Sequence, residues 1–288
     1  MQLKISNLAR AEVLTQALPY IKKFNGKVVV VKYGGNAMIN EQLKEQVMED
    51  IALLWLIGVK VVLVHGGGPE INELMNKLGK KAEFVNGLRV TDKETVDIVQ
   101  MVLAGKVNKS LVTLLQMKGG HAVGLSGIDG GLIEAEIKDE RLGYVGRITK
   151  IRPQPINDLL EKNYIPVIST VAGDKNGNVY NINGDTAAAY IAGALGAERL
   201  LMMTDIAGIL RDKDDVSSLI HEITISEANK LYEDGVISGG MIPKVECCID
   251  AINKGVGKVT ILDGRIPHSI LMELLTNEGA GTMVTKDE

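Results

Sequence analysis

Short runs of apolar residues recur along the chain, with helical patterns of hydrophobic residues between them. The runs are rich in Val, Ile and Leu and lack strict alternation, which is typical of parallel strands buried on both faces. The predicted strands are Lys27–Tyr33, Lys60–His65, Ala122–Leu125 (the weakest), Ile165–Thr170, Arg199–Thr204 and Lys258–Asp263. Strand, helix and strand in repeated order predict an α/β fold with right-handed crossovers and an open, doubly wound sheet.

Two segments depart from this rhythm. Residues 5–24 read as an amphipathic helix that Pro19 should kink or break. This helix either packs on its own domain or forms an arm that docks on another subunit. Residues 132–151 alternate between apolar and polar positions, which favours hairpins over helix. Such a hairpin is either a lid over a ligand or a plain surface feature.

Composition narrows the class of protein. Hydrophobic residues make up 45% of the 288 positions but aromatic residues only 3%, so we expect an aliphatic core. The net charge of −4 disfavours nucleic-acid binding. We find no run of about 18 apolar residues and no signal-peptide pattern, so we expect no membrane span and a cytoplasmic location. The adjacent Cys247 and Cys248 fit a reducing compartment.

Two of the predicted strands end in glycine-rich turns. The first turn contains Gly34 and Gly35, and the second contains Gly66–Gly68. Ligands of open α/β sheets bind at the carboxyl ends of strands, and glycines there let backbone N–H groups approach an anion. The turns are therefore either a phosphate or carboxylate cradle or simple tight connections. The P-loop and dinucleotide-binding fingerprints are both absent from the sequence.

Two lysines stand where a bound anion would explain them. Lys32 ends an apolar strand, where a charge is costly without a partner. Lys244 opens a helix after Gly239 and Gly240, where its charge opposes the helix dipole. Each lysine could also be an ordinary surface charge.

Three further positions carry candidate chemistry. Asp185 precedes an Ala-rich helix, Thr186–Leu195, and would either cap that helix or hold lysines in position, while nearby Asn181 could bond a substrate. Arg89 lies in a loop, where its guanidinium either binds a carboxylate or is solvated. His65 fits a structural hydrogen bond better than a role as base or metal ligand. The remaining histidines are scattered without metal-ligand spacing.

Together these residues resemble the amino-acid kinase family, and within it the members that phosphorylate N-acetylglutamate. The similarity runs from about Lys27 to the C-terminus. Its markers, in order, are Val-Val-Lys-Tyr-Gly-Gly-Asn-Ala-Met (30–38), Val-His-Gly-Gly-Gly-Pro (64–69), Asn-Gly-Leu-Arg-Val-Thr (86–91), Asn-Ile-Asn-Gly-Asp (181–185) and Gly-Gly-Met-Ile-Pro-Lys (239–244).

The resemblance implies a three-layer αβα sandwich around a mainly parallel sheet. It implies an N-terminal oligomerisation helix (1–24), an acetylglutamate-binding lobe (25–175) and an ATP-binding lobe (176–288). In the substrate site, Gly67 and Gly68 would bind through backbone N–H groups, Arg89 would hold the α-carboxylate, and Asn181 would contact the remaining polar groups.

The resemblance also implies the catalytic set. Lys32 and Lys244 would surround the transferring phosphoryl group, and Asp185 would organise the two lysines. The phosphate cradle would consist of Gly34, Gly35 and Gly66. ATP would be the donor and Mg²⁺ the cofactor, held mainly by nucleotide phosphates without a direct protein ligand. The acceptor carboxylate is ionised at neutral pH, its pKa being roughly 4, so the reaction requires no general base.

An N-terminal helical extension resembles the arginine-inhibited members of the family, which are hexamers built as trimers of dimers. The C-terminal tail resembles their arginine site and would contribute His268, Glu278 and Gly281. A carboxylate such as Glu278 suits a guanidinium group. A PII-type nitrogen signal protein is a further partner that this resemblance leaves open.

Two other functions remain as alternatives. The chain could be another kinase of the family, acting on a different carboxylate or on a nucleotide monophosphate. It could also be a catalytically silent arginine-sensing scaffold, although the presence of Lys32, Asp185 and Lys244 argues against that.

Overall fold

The computed structural model describes residues 6–287 of the chain. Its strands are β1 (Val28–Tyr33), β2 (Lys60–His65), β3 (Phe84–Val85), β4 (Leu88–Arg89), β5 (Ala122–Ser126), β6 (Ile133–Ile137), β7 (Gly146–Ile151), β8 (Ile165–Ser169), β9 (Val171–Gly173), β10 (Val179–Asn181), β11 (Arg199–Thr204), β12 (Glu222–Thr224), β13 (Lys258–Asp263) and β14 (Gly281–Thr285). Its α-helices are α1 (Asn7–Gln16), α2 (Leu18–Phe24), α3 (Glu41–Leu56), α4 (Gly68–Lys77), α5 (Lys93–Gln100), α6 (Asn108–Met117), α7 (Gln154–Glu161), α8 (Gly184–Ala194), α9 (Ile225–Glu233), α10 (Ile242–Asn253) and α11 (Ser269–Leu275).

A central sheet of eight strands has the order β12-β14-β13-β11-β1-β2-β8-β5. The six strands from β13 to β5 are parallel, and β14 runs antiparallel to β13. These six are the strands that the apolar runs predict, each within one residue at either end. The predicted open, mainly parallel sheet is confirmed.

Each face of this sheet is covered by its own hydrophobic core. Along β1, Val30 belongs to one core, whereas Val29 and Val31 belong to the other, because successive side chains of a strand point to opposite faces. The first core includes buried residues of α8 and α10, and the second includes buried residues of α3, α6 and α11. The result is the expected three-layer αβα arrangement.

The predicted hairpin is present as β6 and β7, which pair antiparallel. Both strands belong to a four-stranded sheet of order β10-β9-β6-β7. Ala135 and Ile148 are buried in the first core, so this hairpin is more than a surface excursion. The same sheet carries Asn181 at the end of β10.

The N-terminal segment forms two helices that meet at Ala17, with Pro19 near the start of α2. The predicted break at the proline is therefore confirmed. Helix α1 buries no side chain, whereas α2 buries Phe24 in the second core. The segment thus packs on its own domain through α2 and leaves α1 exposed.

Residues Lys93–Met117 form one continuous helical run that is long and apolar enough to cross a membrane by length and composition alone. Many of its apolar side chains, among them Val99, Leu111 and Leu115, are buried in the second core, as expected for a core helix, whereas Met101 and Met117 are exposed. In its middle, Met101–Val107 is π-helical.

Because β1 pairs with both β2 and β11, the central sheet continues across the predicted boundary between the two lobes.

Candidate active site

The central feature of the site is a lysine–aspartate cluster formed by Lys32, Asp185 and Lys244. Lys32 Nζ lies 2.9 Å from Asp185 Oδ1, and Lys244 Nζ lies 3.6 Å from Asp185 Oδ2. Lys32 also donates to the carbonyl oxygen of Met203 at 3.2 Å. The Lys32 side chain is only 12% exposed and that of Lys244 only 26%, so neither is a plain surface charge.

Asp185 belongs to the first turn of α8 but does not cap it. The cap is Asn183, whose side chain accepts from the N–H of Thr186 at 3.0 Å. Burial alone would raise the pKa of Asp185, but the ammonium groups of Lys32 and Lys244 outweigh burial and hold that pKa below its ordinary value. The carboxylate therefore stays ionised at neutral pH and keeps the two lysines together.

The first glycine turn lies directly against this cluster. A methyl group placed on Gly34 would lie 2.9 Å from Lys32 Nζ, so the absence of a side chain lets the lysine fold over the turn. Gly35 has a φ of 73°, and a methyl group on it would lie 2.6 Å from Asp205 Oδ1. The predicted cradle residues of this turn thus sit between Lys32 and a carboxylate at the end of β11.

A glycine-turn cavity of about 150 Å³ adjoins the cluster. It brings together the second glycine turn and the other predicted substrate residues. Its lining residues are Gly66, Gly67, Gly68, Ile71, Phe84, Gly87, Leu88, Arg89, Leu103, Val145, Thr170, Asn181, Ile182, Asn183 and Gly184. A methyl group on Gly184 would lie 3.6 Å from Lys32 Cε, so Lys32 lies next to the wall of this cavity.

The second glycine turn joins β2 to α4. Gly67 packs so closely on the helical layer that a methyl group there would lie 2.6 Å from Leu103 Cδ2. Helix α4 starts at Gly68 with no side chain capping its first turn. The N–H groups of a first turn have no acceptor within the helix. They are consequently suited to binding an anion or a carbonyl oxygen in the cavity.

Arg89 ends β4 and is 7% exposed. Its Nη2 donates to the carbonyl oxygen of Gly68 at 3.3 Å, its Nη1 contacts Met75 Sδ at 3.4 Å, and the guanidinium lies 4.8 Å from the centre of the Phe84 ring. Burial lowers the pKa of Arg89 from its ordinary value. A buried guanidinium with five N–H donors and these weak partners is suited to pair with a carboxylate.

Asn181 closes the opposite wall of the cavity. Its backbone N–H donates to the carbonyl oxygen of Tyr144 at 2.9 Å, and its Nδ2 donates to Thr91 Oγ1 at 3.3 Å. These bonds fix both the backbone and the amide group. The amide group of Asn181 is therefore held in one orientation at the cavity wall before a substrate binds.

His65 makes the structural hydrogen bonds that its sequence context predicts. Its ring lies between the carbonyl oxygen of Gly66 at 2.7 Å and Asn108 Nδ2 at 3.1 Å. The ring is fully buried, and burial lowers the pKa of His65 to about 4. Across residues 6–287, no group of three or more His, Cys, Asp or Glu side chains could hold a metal ion.

The residues predicted for regulation are only partly brought together. Glu278 and Gly281 line a C-terminal cavity of about 270 Å³, together with Tyr20, Lys23, Phe24, Arg199, His221, Glu222, Glu273, Leu274, Thr276, Asn277, Gly279 and Met283. His268 does not line it. Its Nδ1 instead lies 2.6 Å from Oδ1 of the buried Asp50, between α3 and α11.

Sequence reasoning missed several residues of the site. Asp205 follows β11 at its carboxyl end, so the rule that located the glycine turns could have found it. Leu103, Val145 and Thr170 line the glycine-turn cavity without any distinguishing pattern in the sequence. Asn108 was missed because its position depends on the π-helical turn before it.

The chemistry of the site follows from its charges. Two ammonium groups converge on one carboxylate beside a cavity that is lined by a buried guanidinium and by the uncapped first turn of α4. Such a site can bind a carboxylate in the cavity and neutralise the oxygens of a phosphoryl group beside it.

Known proteins resemble this chain closely. An acetylglutamate kinase of Clostridium beijerinckii is 52% identical over 283 residues, covering 97% of this chain and 99% of that protein. One of Heliobacterium modesticaldum is 53% identical over 291 residues, covering 97% and 99% respectively.

Among solved structures, the N-acetylglutamate synthase of Neisseria gonorrhoeae is similar in fold. Its complex with coenzyme A and N-acetyl-glutamate has a TM-score of 0.84 and 27% identity, with 99% of this chain covered. Its complex with coenzyme A and L-arginine has a TM-score of 0.80 and 25% identity, with 98% of this chain covered. The chain spans only 64% to 66% of the synthase chains.

The sequence profile of the Amino acid kinase family matches residues 27–263, which contain the lysine–aspartate cluster and the glycine-turn cavity. The chain belongs to the amino acid kinase family.

Proposed function

We propose that this chain transfers the γ-phosphoryl group of ATP to the γ-carboxylate of N-acetyl-L-glutamate, the step of arginine biosynthesis that yields N-acetylglutamyl 5-phosphate. One observation carries the proposal: Asp185 holds Lys32 and Lys244 together beside a cavity that is lined by Arg89. Relatives named acetylglutamate kinase, at 52% and 53% identity over nearly the whole chain, support it.

In this proposal the substrate lies in the glycine-turn cavity. Arg89 pairs with its α-carboxylate, the N–H groups of Gly67 and Gly68 bind its oxygens, and Asn181 contacts its remaining polar groups. The buried surroundings of Arg89 strengthen that pairing, because charge-assisted bonds are stronger where water is excluded. The γ-carboxylate then points at the lysine–aspartate cluster.

Phosphoryl transfer depends on alignment and on the cancellation of charge on the phosphoryl oxygens. Lys32 and Lys244 supply two positive charges whose positions Asp185 fixes before the substrates arrive. The glycines at 34, 35 and 66 let phosphate oxygens approach the backbone. No general base is needed, because the acceptor carboxylate is already ionised, and the buried His65 is no candidate for one.

The residues present fit a cofactor Mg²⁺ that is held by the nucleotide. The described residues offer no cage of carboxylates, histidines or cysteines for a metal ion. Phosphate oxygens of ATP would supply its ligands, as is usual for Mg²⁺ in kinases. When bound, the ion adds positive charge on the phosphates, while the lysines act on the transferring group.

The proposal is tested by measuring ADP release with N-acetylglutamate, glutamate, aspartate and UMP as acceptors. We expect turnover with N-acetylglutamate and at least about a hundredfold lower kcat/KM with glutamate, because an unacylated amino group is charged and the residues that line the cavity include no carboxylate. Turnover with UMP or aspartate instead would favour another kinase of the family. No turnover with any of the four would favour a silent sensor.

We further propose that arginine inhibits the chain at the C-terminal cavity. Helix α2 contributes Tyr20, Lys23 and Phe24 to this cavity, and Glu278 is placed to meet a guanidinium group. The neisserial synthase, solved with L-arginine, supports a site of this kind in a related fold. Because His268 lies outside the lining, we assign it to the junction with Asp50 rather than to arginine.

The exposed apolar residues of the N-terminal helices support a hexamer in which this arm docks on a neighbouring dimer. Leu8, Leu14 and Leu18 are 70%, 71% and 58% exposed, so the described residues of their own chain leave them largely uncovered. The net charge of −4 and the reduced Cys247 and Cys248 fit a cytoplasmic enzyme. A PII-type partner stays a prediction.

A further inference from the structure

The side chain of His65 holds the peptide group that follows it. His65 Nδ1 lies 2.7 Å from the carbonyl oxygen of Gly66. A carbonyl oxygen can only accept, so Nδ1 carries the proton and donates it. The carbonyl of the Gly66–Gly67 peptide is thereby fixed toward the buried ring.

Asn108 fixes the other side of the ring. Its Nδ2 lies 3.1 Å from His65 Nε2, and also contacts the carbonyl oxygens of Leu125 at 3.2 Å and Val167 at 2.9 Å. Both carbonyl oxygens require a donor, so this atom is the amide nitrogen. Nε2 is the unprotonated nitrogen of a neutral ring, and it shares the two amide hydrogens with these two oxygens. Lys109 Nζ, 3.0 Å from Asn108 Oδ1, fixes the amide in the same orientation.

The backbone is shaped to bring Asn108 to this place. Asn108 is the first residue of α6, directly after the π-helical turn Met101–Val107. A π-helical turn shifts the helix face and often marks a functional position. On the sheet side, a methyl group on Gly124 would lie 1.9 Å from Asn108 Oδ1, so only glycine leaves room for the amide.

The orientation of the Gly66–Gly67 peptide group also sets the direction of its N–H. A trans peptide is planar, with its C=O and N–H pointing in opposite directions, and the described residues contain no cis peptide. With the Gly66 carbonyl turned toward His65, the N–H of Gly67 points the other way. Gly67 lines the cavity and lies close to the helical layer, since a methyl group on it would lie 2.6 Å from Leu103 Cδ2.

We propose that His65 and Asn108 are positioning residues for substrate binding: Asn108 fixes the ring of His65, and His65 fixes the Gly66–Gly67 peptide so that the N–H of Gly67 points at N-acetylglutamate. This inference rests on the proposed function of the cavity, and it adds two buried residues that never touch the substrate. Burial, which lowers the pKa of His65 to about 4, and the nearby charge of Lys109 keep the ring neutral. The hydrogen bonds of His65 with Gly66 and Asn108 therefore stay the same through the physiological pH range.

Two substitutions of His65 separate positioning from packing. In His65→Asn, the new Nδ2 takes the place of the ring Nδ1–H and can still donate to the Gly66 carbonyl. In His65→Gln, the longer amide reaches the position of Nε2 and leaves that carbonyl without its donor. Both variants lose the ring and its packing. KM for N-acetylglutamate, KM for ATP, kcat and the free energy of unfolding are measured for each.

We expect His65→Gln to raise KM for N-acetylglutamate about tenfold, the effect of one well-placed hydrogen bond, with KM for ATP within about twofold of wild type. His65→Asn should keep KM for N-acetylglutamate within about threefold of wild type at a similar loss of stability. Equal KM values for N-acetylglutamate in the two variants would overturn the inference. So would a parallel rise in KM for ATP, which indicates general damage.

A measurement on the unsubstituted protein keeps the test valid if a variant does not fold. Nitrogen NMR of the ¹⁵N-histidine-labelled protein should show His65 neutral with its proton on Nδ1, and a proton on Nε2 would contradict the proposal. Wild-type protein that does not turn over N-acetylglutamate would refute the proposed function itself. Turnover without the difference between the two variants would refute only the positioning role.

Discussion

Lys32 Nζ and Lys244 Nζ contact different oxygens of the Asp185 carboxylate, Oδ1 at 2.9 Å and Oδ2 at 3.6 Å. They are more than two hundred residues apart in the chain, and Asp185 comes from a third element, α8. The α8 dipole favours a carboxylate in its first turn, which helps Asp185 to stay ionised between the two lysines. Charges held in this way need little reorganisation when a phosphoryl group arrives.

Arg89 should determine the affinity for the acceptor substrate. Arg89→Lys keeps the charge but loses the fork that can bind a carboxylate through two bonds. We expect KM for N-acetylglutamate to rise at least about tenfold, while KM for ATP stays unchanged. The matched control is Arg147→Lys, because Arg147 is 63% exposed and pairs with Glu136 at the surface. Initial-rate kinetics showing equal effects in both variants would exclude Arg89 from the substrate site.

Gly67 should tolerate no side chain. Gly67→Ala places a methyl group 2.6 Å from Leu103 Cδ2, which must push the turn into the cavity. We expect KM for N-acetylglutamate to rise about tenfold and the melting temperature to fall by a few degrees, at about 2 °C per kcal/mol for a chain of this length. Gly173→Ala is the control, since a methyl group there would lie 3.7 Å from its nearest neighbour, an ordinary contact, and strand β9 should gain about 0.5–1 kcal/mol.

A double substitution sharpens the Gly67 prediction. Adding Leu103→Ala removes the clashing methyl groups, so the Gly67→Ala/Leu103→Ala chain should bind N-acetylglutamate better than Gly67→Ala alone. If adding Leu103→Ala raises KM for N-acetylglutamate further, the close approach of Gly67 to the helical layer is not the cause of the weaker binding in Gly67→Ala.

How much of this site the sequence predicts depends on the kind of residue. Lys32, Gly34 and Gly66 could be found because they lie at the carboxyl ends of apolar strands. The carboxyl ends of parallel strands meet at one edge of the sheet, where ligands bind. Asp185 could not be assigned from local pattern alone, since a polar residue before a helix is usually a cap. The structure gives the cap to Asn183, and this leaves Asp185 for the lysines.

Other parts of the molecule lay beyond local pattern. The π-helical turn before Asn108 has no signature in the hydrophobic periodicity, and it decides what reaches His65. The sequence around His268 does not reveal whether its side chain faces the C-terminal cavity or α3. Only tertiary packing, which buries Asp50 beside it, distinguishes the two.

The buried state of His65 should appear in the pH dependence of stability. Its pKa is about 4 in the folded chain, against 6.5 ordinarily, so between these values the unfolded state binds a proton that the native state does not. Stability is therefore fully present above about pH 6.5 and is lost as pH falls toward 4, by at most about 1.4 kcal/mol per pH unit. His65→Asn lacks this loss.

Urea unfolding of the wild type and of His65→Asn at several pH values checks this. The stability advantage of the wild type should be constant above about pH 7 and should shrink as pH falls from 6.5 to 4. A difference that is independent of pH would show that His65 titrates normally in the folded chain.

The N-terminal arm should control both assembly and inhibition. Leu14→Glu places a charge on a residue that is 71% exposed and that we assign to the contact between dimers. We expect light scattering to show dimers in place of hexamers, and arginine inhibition to weaken at least about tenfold, with kcat retained. Val216→Glu, at a 69% exposed residue of a short 3₁₀ turn, should leave both properties unchanged. An arginine-sensitive Leu14→Glu hexamer would refute the role of the arm.

The kinetics of Lys32→Ala and Lys244→Ala test whether the two lysines of the cluster are catalytic. If the two lysines stabilise the transferring phosphoryl group, each substitution should lower kcat about 10²- to 10³-fold and change KM for N-acetylglutamate less than about threefold. Lys175→Ala, at a side chain that is 82% exposed, should keep the wild-type kcat. A rise in KM with an unchanged kcat would show that the lysines only bind substrate, and would contradict the central claim.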